Sequence, residues 1–460
     1  MSHRKFQLDV LSGALERVSS IAGERYKSIE SLRVSGNSIE MSAELTDDGI
    51  SIDAALDHFE ESISPNLSAS TGGATPAALV ADWLASLYDQ NVLKLGDSCS
   101  TDIELKTVEL LRELLGISDE FGGVFVSGAT MANFVGLACA RQWAGREQGI
   151  NVAEDGLQRM QVRVLTGSAH SSVLKSLSML GLGRSAVESC DTLDGTESVC
   201  LRSLEEKLSS SSGPVVVVAN VGTVNTGSMD DLVQLRELKG RYGFWLHVDA
   251  AFGGFLLASK LHKHKVEGID CADSITIDCH KWLNVPYDSG VVFTKQIEYQ
   301  ADVFQNPAPY LSAVEMEWDN YVHLTPENSR RFRALPVYMS ILCYGRSGIS
   351  DIVDRNIENA RLMSKLITGN DNGMMVLSGD TMNIVCFAME EEVNDEDIKA
   401  VCASIAKEGT CFVTPTNYHG SPAIRAAFCN WMTDQDDVEQ SYQAISRCVR
   451  DYLNLVHDSN

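Results

Sequence analysis

Hydrophobic positions fall along this chain in two alternating textures. Short, mostly apolar runs at Val124–Ser127, Arg163–Thr166, Val215–Ala219, Phe244–Val248, Ser274–Ile277 and Gly290–Phe293 are bounded by turn or polar residues and read as strands. VVVVA at 215–219 is apolar throughout, as a strand covered on both faces must be. Between the runs lie stretches with apolar residues three and four apart, which predict helices over Pro76–Tyr88, Thr101–Leu115 and Met131–Arg146. Strands alternating with helices predict an α/β fold with a mostly parallel sheet sandwiched by helices.

From about Gly345 the texture changes. Strand patterns at Met374–Leu377, Asn383–Met389, Thr410–Thr414 and Ile424–Phe428 alternate with helical ones near 351–368, 394–408 and 433–454, which suits a small α+β C-terminal domain. The acidic run Glu390–Asp397 reads as a solvated turn plus a helix start. Residues 1–65 carry a helical pattern at Phe6–Ala22 and a polar, acidic connector, and 295–336, with Pro307 and Pro309, reads as an irregular loop and candidate lid. The expected division is an N-terminal helical segment (1–75), a large domain (76–345) and a small C-terminal domain (346–460).

A chain of 460 residues supports two to three structural units. A net charge of −26 argues against nucleic acid or an anionic membrane as partner. The twelve cysteines include no CxxC pair and no zinc spacing, so no metal is expected and reduced thiols in the cytoplasm are the simplest reading. The N-terminus, MSHRKFQLDV, lacks an apolar signal core, and no apolar run approaches the about 18 residues that span a membrane.

The chemistry gathers between Phe244 and Thr294. Asp249 closes one strand run and His280-Lys281 follow the next. A lone lysine is ordinarily a solvated charge, and an Asp at a strand end is ordinarily a cap or turn residue. Here Lys281 is flanked by His280 and Trp282 between two apolar strands, and Asp249 precedes the small residues Ala250, Ala251, Gly253 and Gly254 with Phe252 among them. Ligands of open α/β sheets bind beyond the carboxyl ends of strands. A lysine and an acid delivered to that edge suit pyridoxal 5'-phosphate (PLP), which needs an amine for its Schiff base and an acid against its pyridinium nitrogen. A strand running into Gly128-Ala129-Thr130 and then a helix can cradle a phosphate on its exposed N–H groups.

HVDAA (247–251), Lys281 within HKWLNVPYDSG and AHSSV (169–173), in this order, resemble the PLP-dependent group II amino-acid decarboxylases of fold type I, the aromatic-L-amino-acid and glutamate decarboxylase-like family. The resemblance runs from about Pro76 to Thr433. It implies that Lys281 holds PLP, Asp249 faces the ring nitrogen, His170 stacks on one ring face with Ala251 on the other, and Ala129 and Thr130 take the phosphate. It places Thr223 near the ring substituents and Asp278 where some members have an asparagine near the phosphate, its carboxylate turning toward His280 or an arginine. The family's acid near the phosphate turn is Met131 here. Tyr310 or His280 would return the proton to the substrate carbon. Asp102 and Glu104 are taken as structural acids at a helix start, and Arg330, Arg331 and Arg333 as partners of acids in the sheet domain. Family members with bulky aromatic substrates have tyrosine and phenylalanine in the loop where this chain has Asn66, Ser68, Ser70 and Thr71, a departure that hints at a smaller or more polar side chain. The resemblance also implies an obligate homodimer with shared active sites and the N-terminal segment packed across the partner.

The expected activity is L-amino-acid decarboxylation, yielding CO2 and a primary amine. Alternatives are other PLP chemistry on the same scaffold (an aldehyde-forming decarboxylation–deamination, a lyase or an aminotransferase) and a non-catalytic homologue retained for binding.

Overall fold

A computed structural model describes residues 3–28, 50–67, 73–94, 98–157, 159–306, 317–370, 372–377 and 382–459. They fall into two compact units, one drawn from 72–390 with 425–438 and one from 1–71, 391–424 and 439–460.

The first unit is built on a seven-stranded sheet: β1 Gly122–Val126, β2 Arg163–Thr166, β3 Val187–Ser189, β4 Val215–Asn220, β5 Trp245–Asp249, β6 Ser274–Ile277 and β7 Gly290–Thr294, in the spatial order β1-β7-β6-β5-β4-β2-β3. β7 alone runs antiparallel to its neighbours, so β1 points the same way as β6, β5, β4, β2 and β3. β1, β4, β5, β6 and β7 are buried along their whole length, which explains their unbroken apolar texture. The short β3 is at most half-buried and has no apolar run, so the sequence pattern does not announce it.

Register brings the chemistry to one edge. Asn220 pairs with Asp249, Asp249 with Thr276, Ile277 with Val291 and Val126 with Gly290. The ends of β1, β4, β5 and β6 therefore lie in one row, and the chain leaves that row into the turns at 127–130, 221–229, 250–254 and 278–282. One face of the sheet receives the helix Ala129–Arg146 through Val135, Leu137 and Ala138, packed with Val173 and Leu177 of the helix Ser171–Met179.

The stretch expected to be an irregular loop contains the helix Ile297–Phe304 and the start of the helix Ala334–Thr368. Eight residues are too few to show a clear period. Pro336 lies in a first turn, where it has no intrahelical hydrogen bond to lose. Gly345, where the sequence texture changes, kinks the long helix at φ 58°, ψ −173°. β8 (Met374–Val376) and β9 (Ile384–Met389) form an antiparallel pair in the same unit.

The second unit contains the helices His3–Lys27, Ile52–His58 and Asp395–Glu408, the strand Thr414–Tyr418, and most of the helix Gln435–Ser459. Pairing begins at Thr414, at the end of the expected strand Thr410–Thr414, because Cys411 and Val413 are buried as a connector. The acidic run does end in a helix start: Asn394 and Asp397 form a reciprocal capping box, and Tyr452 donates to Asp397 at 2.6 Å. No helix among the described residues is long and apolar enough to cross a membrane.

Candidate active site

Asp249 is buried at the end of β5. Its Oδ1 accepts the backbone N–H of Ala251 at 3.2 Å, and its Oδ2 accepts the side-chain amide of Asn133 at 2.8 Å. Both carboxylate oxygens act as acceptors in this arrangement.

One strand over, β6 ends in Asp278 and a single helical turn, Cys279–Trp282, that carries His280 and Lys281. Lys281 Nζ lies 3.4 Å from Asp278 Oδ2 and 5.2 Å from the ring centre of Phe252. Asp278 is buried. Its other oxygen is 3.0 Å from His280 Nε2, out of line for a hydrogen bond. His280 Nδ1 accepts the backbone N–H of Ser289 at 3.2 Å, and the ring packs at 4.4 Å from that of Tyr287. The carboxylate at 278 thus turns to His280 and Lys281 and makes no arginine pair among the described residues.

The turn from β1 into the helix Ala129–Arg146 is capped by Gly128, at φ 147° and ψ −178°. A Cβ there would come within 2.8 Å of His280 Cε1, and a Cβ on Gly290 within 2.6 Å of Gly128 Cα. Only glycine allows these three segments to touch. Ala132 is the first residue to donate back to Gly128, so the N–H groups of Ala129, Thr130 and Met131 point out of the helix start. They can hold a phosphate without the missing acid at Met131.

His170 is the N-cap of the helix Ser171–Met179. Its Nδ1 accepts from the Ser172 N–H at 3.2 Å and lies 2.7 Å from Ser172 Oγ. The capping group is therefore the imidazole, whose nitrogen reaches the N–H two residues on as an Asn side chain does. Its burial and the charges of Lys281 and Arg425 lower its pKa, against the raising effect of Asp249. Ala251 is buried beside Asp249. Thr223 turns its hydroxyl into its own loop, 3.1 Å from Thr226 Oγ1 and accepting from Ser228 N–H at 3.0 Å. Tyr310, Ser68, Ser70 and Thr71 lie outside the described residues, and Asn66 donates to the Ser62 carbonyl at 3.0 Å.

Three features escape a reading of the sequence. Asn133 and His247 support Asp249 from beneath the sheet. Arg425, which donates to the Val224 carbonyl at 3.0 Å, stands close enough to His170 to affect its charge. Its only signal is an arginine inside an apolar strand run. Glu104 is a structural acid as expected, but a fully buried one, paired with Arg330 2.6 Å away. Arg331 meets Asp82 and Arg333 meets Asp288.

An amine and a buried, hydrogen-bonded carboxylate on adjacent strand ends, an imidazole cap and an outward-facing helix start on one sheet edge make a donor set that fits PLP. The pyridoxal-dependent decarboxylase conserved domain matches this chain over residues 55–390. An aromatic-L-amino-acid decarboxylase of Bacillus atrophaeus is 30% identical over 378 residues, 79% of this chain and 76% of that protein. An L-2,4-diaminobutyrate decarboxylase of Rhizobium meliloti (strain 1021) is 30% identical over 388 residues, 81% of this chain and 75% of that protein. In three dimensions the chain is similar to Oryza sativa TDC solved with PLP and tryptamine, with a TM-score of 0.87 at 21% identity, covering 96% of this chain and 98% of that one. A family domain that covers most of the chain, relatives aligned over three quarters of their length and a sheet edge chemically suited to PLP agree: this chain belongs to the pyridoxal-dependent decarboxylases, a family of PLP-dependent carboxy-lyases.

Proposed function

We propose that the protein removes the α-carboxylate of an L-amino acid as CO2 and releases the primary amine. The observation that carries this reading is the placement of Asp249 and Lys281 at the ends of adjacent parallel strands, beside the Gly128 turn. PLP, when bound, supplies a protonated ring that accepts the electrons of the bond to the departing carboxylate. Lys281 is the amine that carries it. Asp249, held by its two donors, would face the ring nitrogen and keep it charged. Ala129 and Thr130 receive the phosphate on backbone N–H groups, with Gly128 admitting it. His170 and Ala251 bracket the ring, and Thr223 closes its loop beside them. Asp278 pairs with the Lys281 ammonium whenever that nitrogen is free. Tyr310 or His280 returns a proton to the carbon that has lost its carboxylate. His280 Nδ1 already accepts a backbone N–H, so only its Nε2 can serve.

The named activities of the two relatives act on aromatic and on basic side chains, so neither transfers to this chain as its substrate. A panel of L-amino acids, including both classes, small polar ones and acidic ones, assayed for CO2 and amine, tests the reading and finds the substrate. Aldehyde and peroxide in place of amine would select the aldehyde-forming alternative. No product from any member of the panel, with no band for a lysine-bound PLP, would select the non-catalytic one.

We further propose a homodimer in the cytoplasm, with residues 1–75 at the interface, 76–345 as the PLP-binding domain and 346–460 as the small domain. Val80, Trp83 and Leu87 form an exposed apolar stripe on the helix Pro76–Tyr88, the kind of face a second subunit covers. Cys139, Cys190, Cys279, Cys402, Cys411 and Cys448 are buried free thiols, as in a reducing compartment. Light scattering of the purified protein tests the dimer.

A further inference from the structure

Under the sheet edge, one amide side chain connects the two groups assigned to the PLP ring. Asn133, on the helix Ala129–Arg146, is fully buried. Its Nδ2 donates to Asp249 Oδ2 at 2.8 Å and to Ser172 Oγ at 3.0 Å, and its Oδ1 lies 2.9 Å from His247 Nε2. His247 Nδ1 is 2.7 Å from Ser274 Oγ, which accepts from the Trp245 indole at 3.1 Å. Gly136 makes room for this ring, since a Cβ there would come within 2.7 Å of it.

The proton positions follow from donor and acceptor identity. An ionised carboxylate only accepts, so the Asn133 NH2 must face Asp249 and its carbonyl must face His247. His247 then carries its proton on Nε2, and Ser274 donates to its bare Nδ1. On the other branch, the Ser172 backbone N–H already donates to His170 Nδ1, so that nitrogen is bare. With Asn133 donating to Ser172 Oγ, the serine hydroxyl proton goes to His170 Nδ1 as well, and the His170 proton sits on Nε2.

The opposite arrangement is also self-consistent. If Asp249 carried a proton, it would donate to a flipped Asn133 amide, His247 would move its proton to Nδ1, and Ser172 would turn its hydroxyl from His170 to Asn133. The ionisation of Asp249, the tautomer of His247 and the hydroxyl held against His170 are thus one coupled choice.

We propose that Asn133 is a positioning residue for the reaction, the branch point through which His247 holds Asp249 in its acceptor-only form while the same amide directs the Ser172 hydroxyl onto His170 Nδ1. This rests on the reading that Asp249 and His170 serve the PLP ring.

Histidine-selective 15N NMR of the PLP-loaded and cofactor-free enzyme tests it directly, with H170Q and H247Q for assignment. The expected result is Nε2–H at both histidines, and Nδ1–H at either one overturns the proposal without any further variant. N133D is isosteric but cannot donate to Asp249. It is expected to weaken PLP binding roughly tenfold or more, the effect of one buried donor lost, and to shift the pH profile of the cofactor's absorption band, while His247 keeps its Nε2–H against the new carboxylate. N133A should weaken PLP binding likewise, and it replaces N133D should the added buried carboxylate prevent folding. H247L should reproduce part of the effect and H247Q, whose amide can accept from Ser274 and donate to Asn133, should rescue it. D249N separates the two layers of the argument. If D249N leaves PLP binding and its spectrum unchanged, the assignment of Asp249 to the ring is wrong. If D249N alters them while N133D behaves as the unaltered enzyme, the positioning role alone is wrong.

Discussion

The Glu104 carboxylate meets the Arg330 guanidinium at 2.6 Å with neither side chain exposed to solvent. Both also grip the backbone of Phe125: Glu104 accepts its N–H at 3.2 Å and Arg330 donates to its carbonyl at 2.8 Å. Phe125 lies in β1, which has a neighbour, β7, on one side only. The ion pair therefore stands in for a missing strand and satisfies an edge that leads, three residues later, to the Gly128 turn.

Removing one member leaves a buried charge without its partner. E104Q should destabilise the protein by about 3–5 kcal/mol, and the double replacement E104L/R330M should recover little of the loss, because it also strips Phe125 of its two backbone partners. Urea denaturation with and without PLP measures both, and an E104Q protein as stable as the unaltered one would refute the account.

At Gly128 both sterics and backbone matter. G128A places a Cβ against His280 and forces a φ of 147° on an L-residue. It should cost about 1–3 kcal/mol of local strain and displace the phosphate turn from His280. PLP dissociation, followed by the absorbance of the bound cofactor, should rise on the order of tenfold or more.

Lys281 is expected to be the one residue labelled when the loaded protein is reduced with borohydride. K281A should lose that label and drop turnover by on the order of 10³-fold or more. Label found on a different lysine would displace Lys281 from its role.

Burial lowers the pKa of His247 from 6.5 to about 4, against the raising effect of Asp249. Its folded pKa is depressed, so its contribution is fully present above about 6.5 and is lost as pH falls toward 4, by roughly 3 kcal/mol in all. Burial raises the pKa of Asp230, which accepts from the backbone N–H groups of Val199 and Asn220, to about 6. Its contribution runs the other way, present below 3.8 and lost as pH rises through about 6. The two offset each other between pH 4 and 6 in the unaltered protein. H247Q removes only the first, so its stability relative to the unaltered enzyme should improve steadily as pH falls from 7 to 4.5 in parallel urea titrations. A constant difference would show that His247 takes up its proton normally.

Much of the site is visible in the linear chain because its parts are local. Asp249 ends an apolar run, Lys281 follows another, and the turn at Gly128 is written within a few residues. Short-range stereochemistry dictates such features, and a strand pattern indicates which end carries the chemistry. Helix termini and the short helix Ile297–Phe304 were less legible, because eight residues hold barely two turns of periodicity.

The sequence alone determined the alternation of strands and helices, the residues suited to hold PLP and the family resemblance, since these depend on side-chain type and near spacing. Only the tertiary structure decided which acid faces which base: Glu104 with Arg330, Asp278 with Lys281 and His280, and Asn133 between Asp249, Ser172 and His247. The reason is that a buried polar group must find a partner within hydrogen-bond reach, and strand register and helix packing, not distance along the chain, select the one it meets.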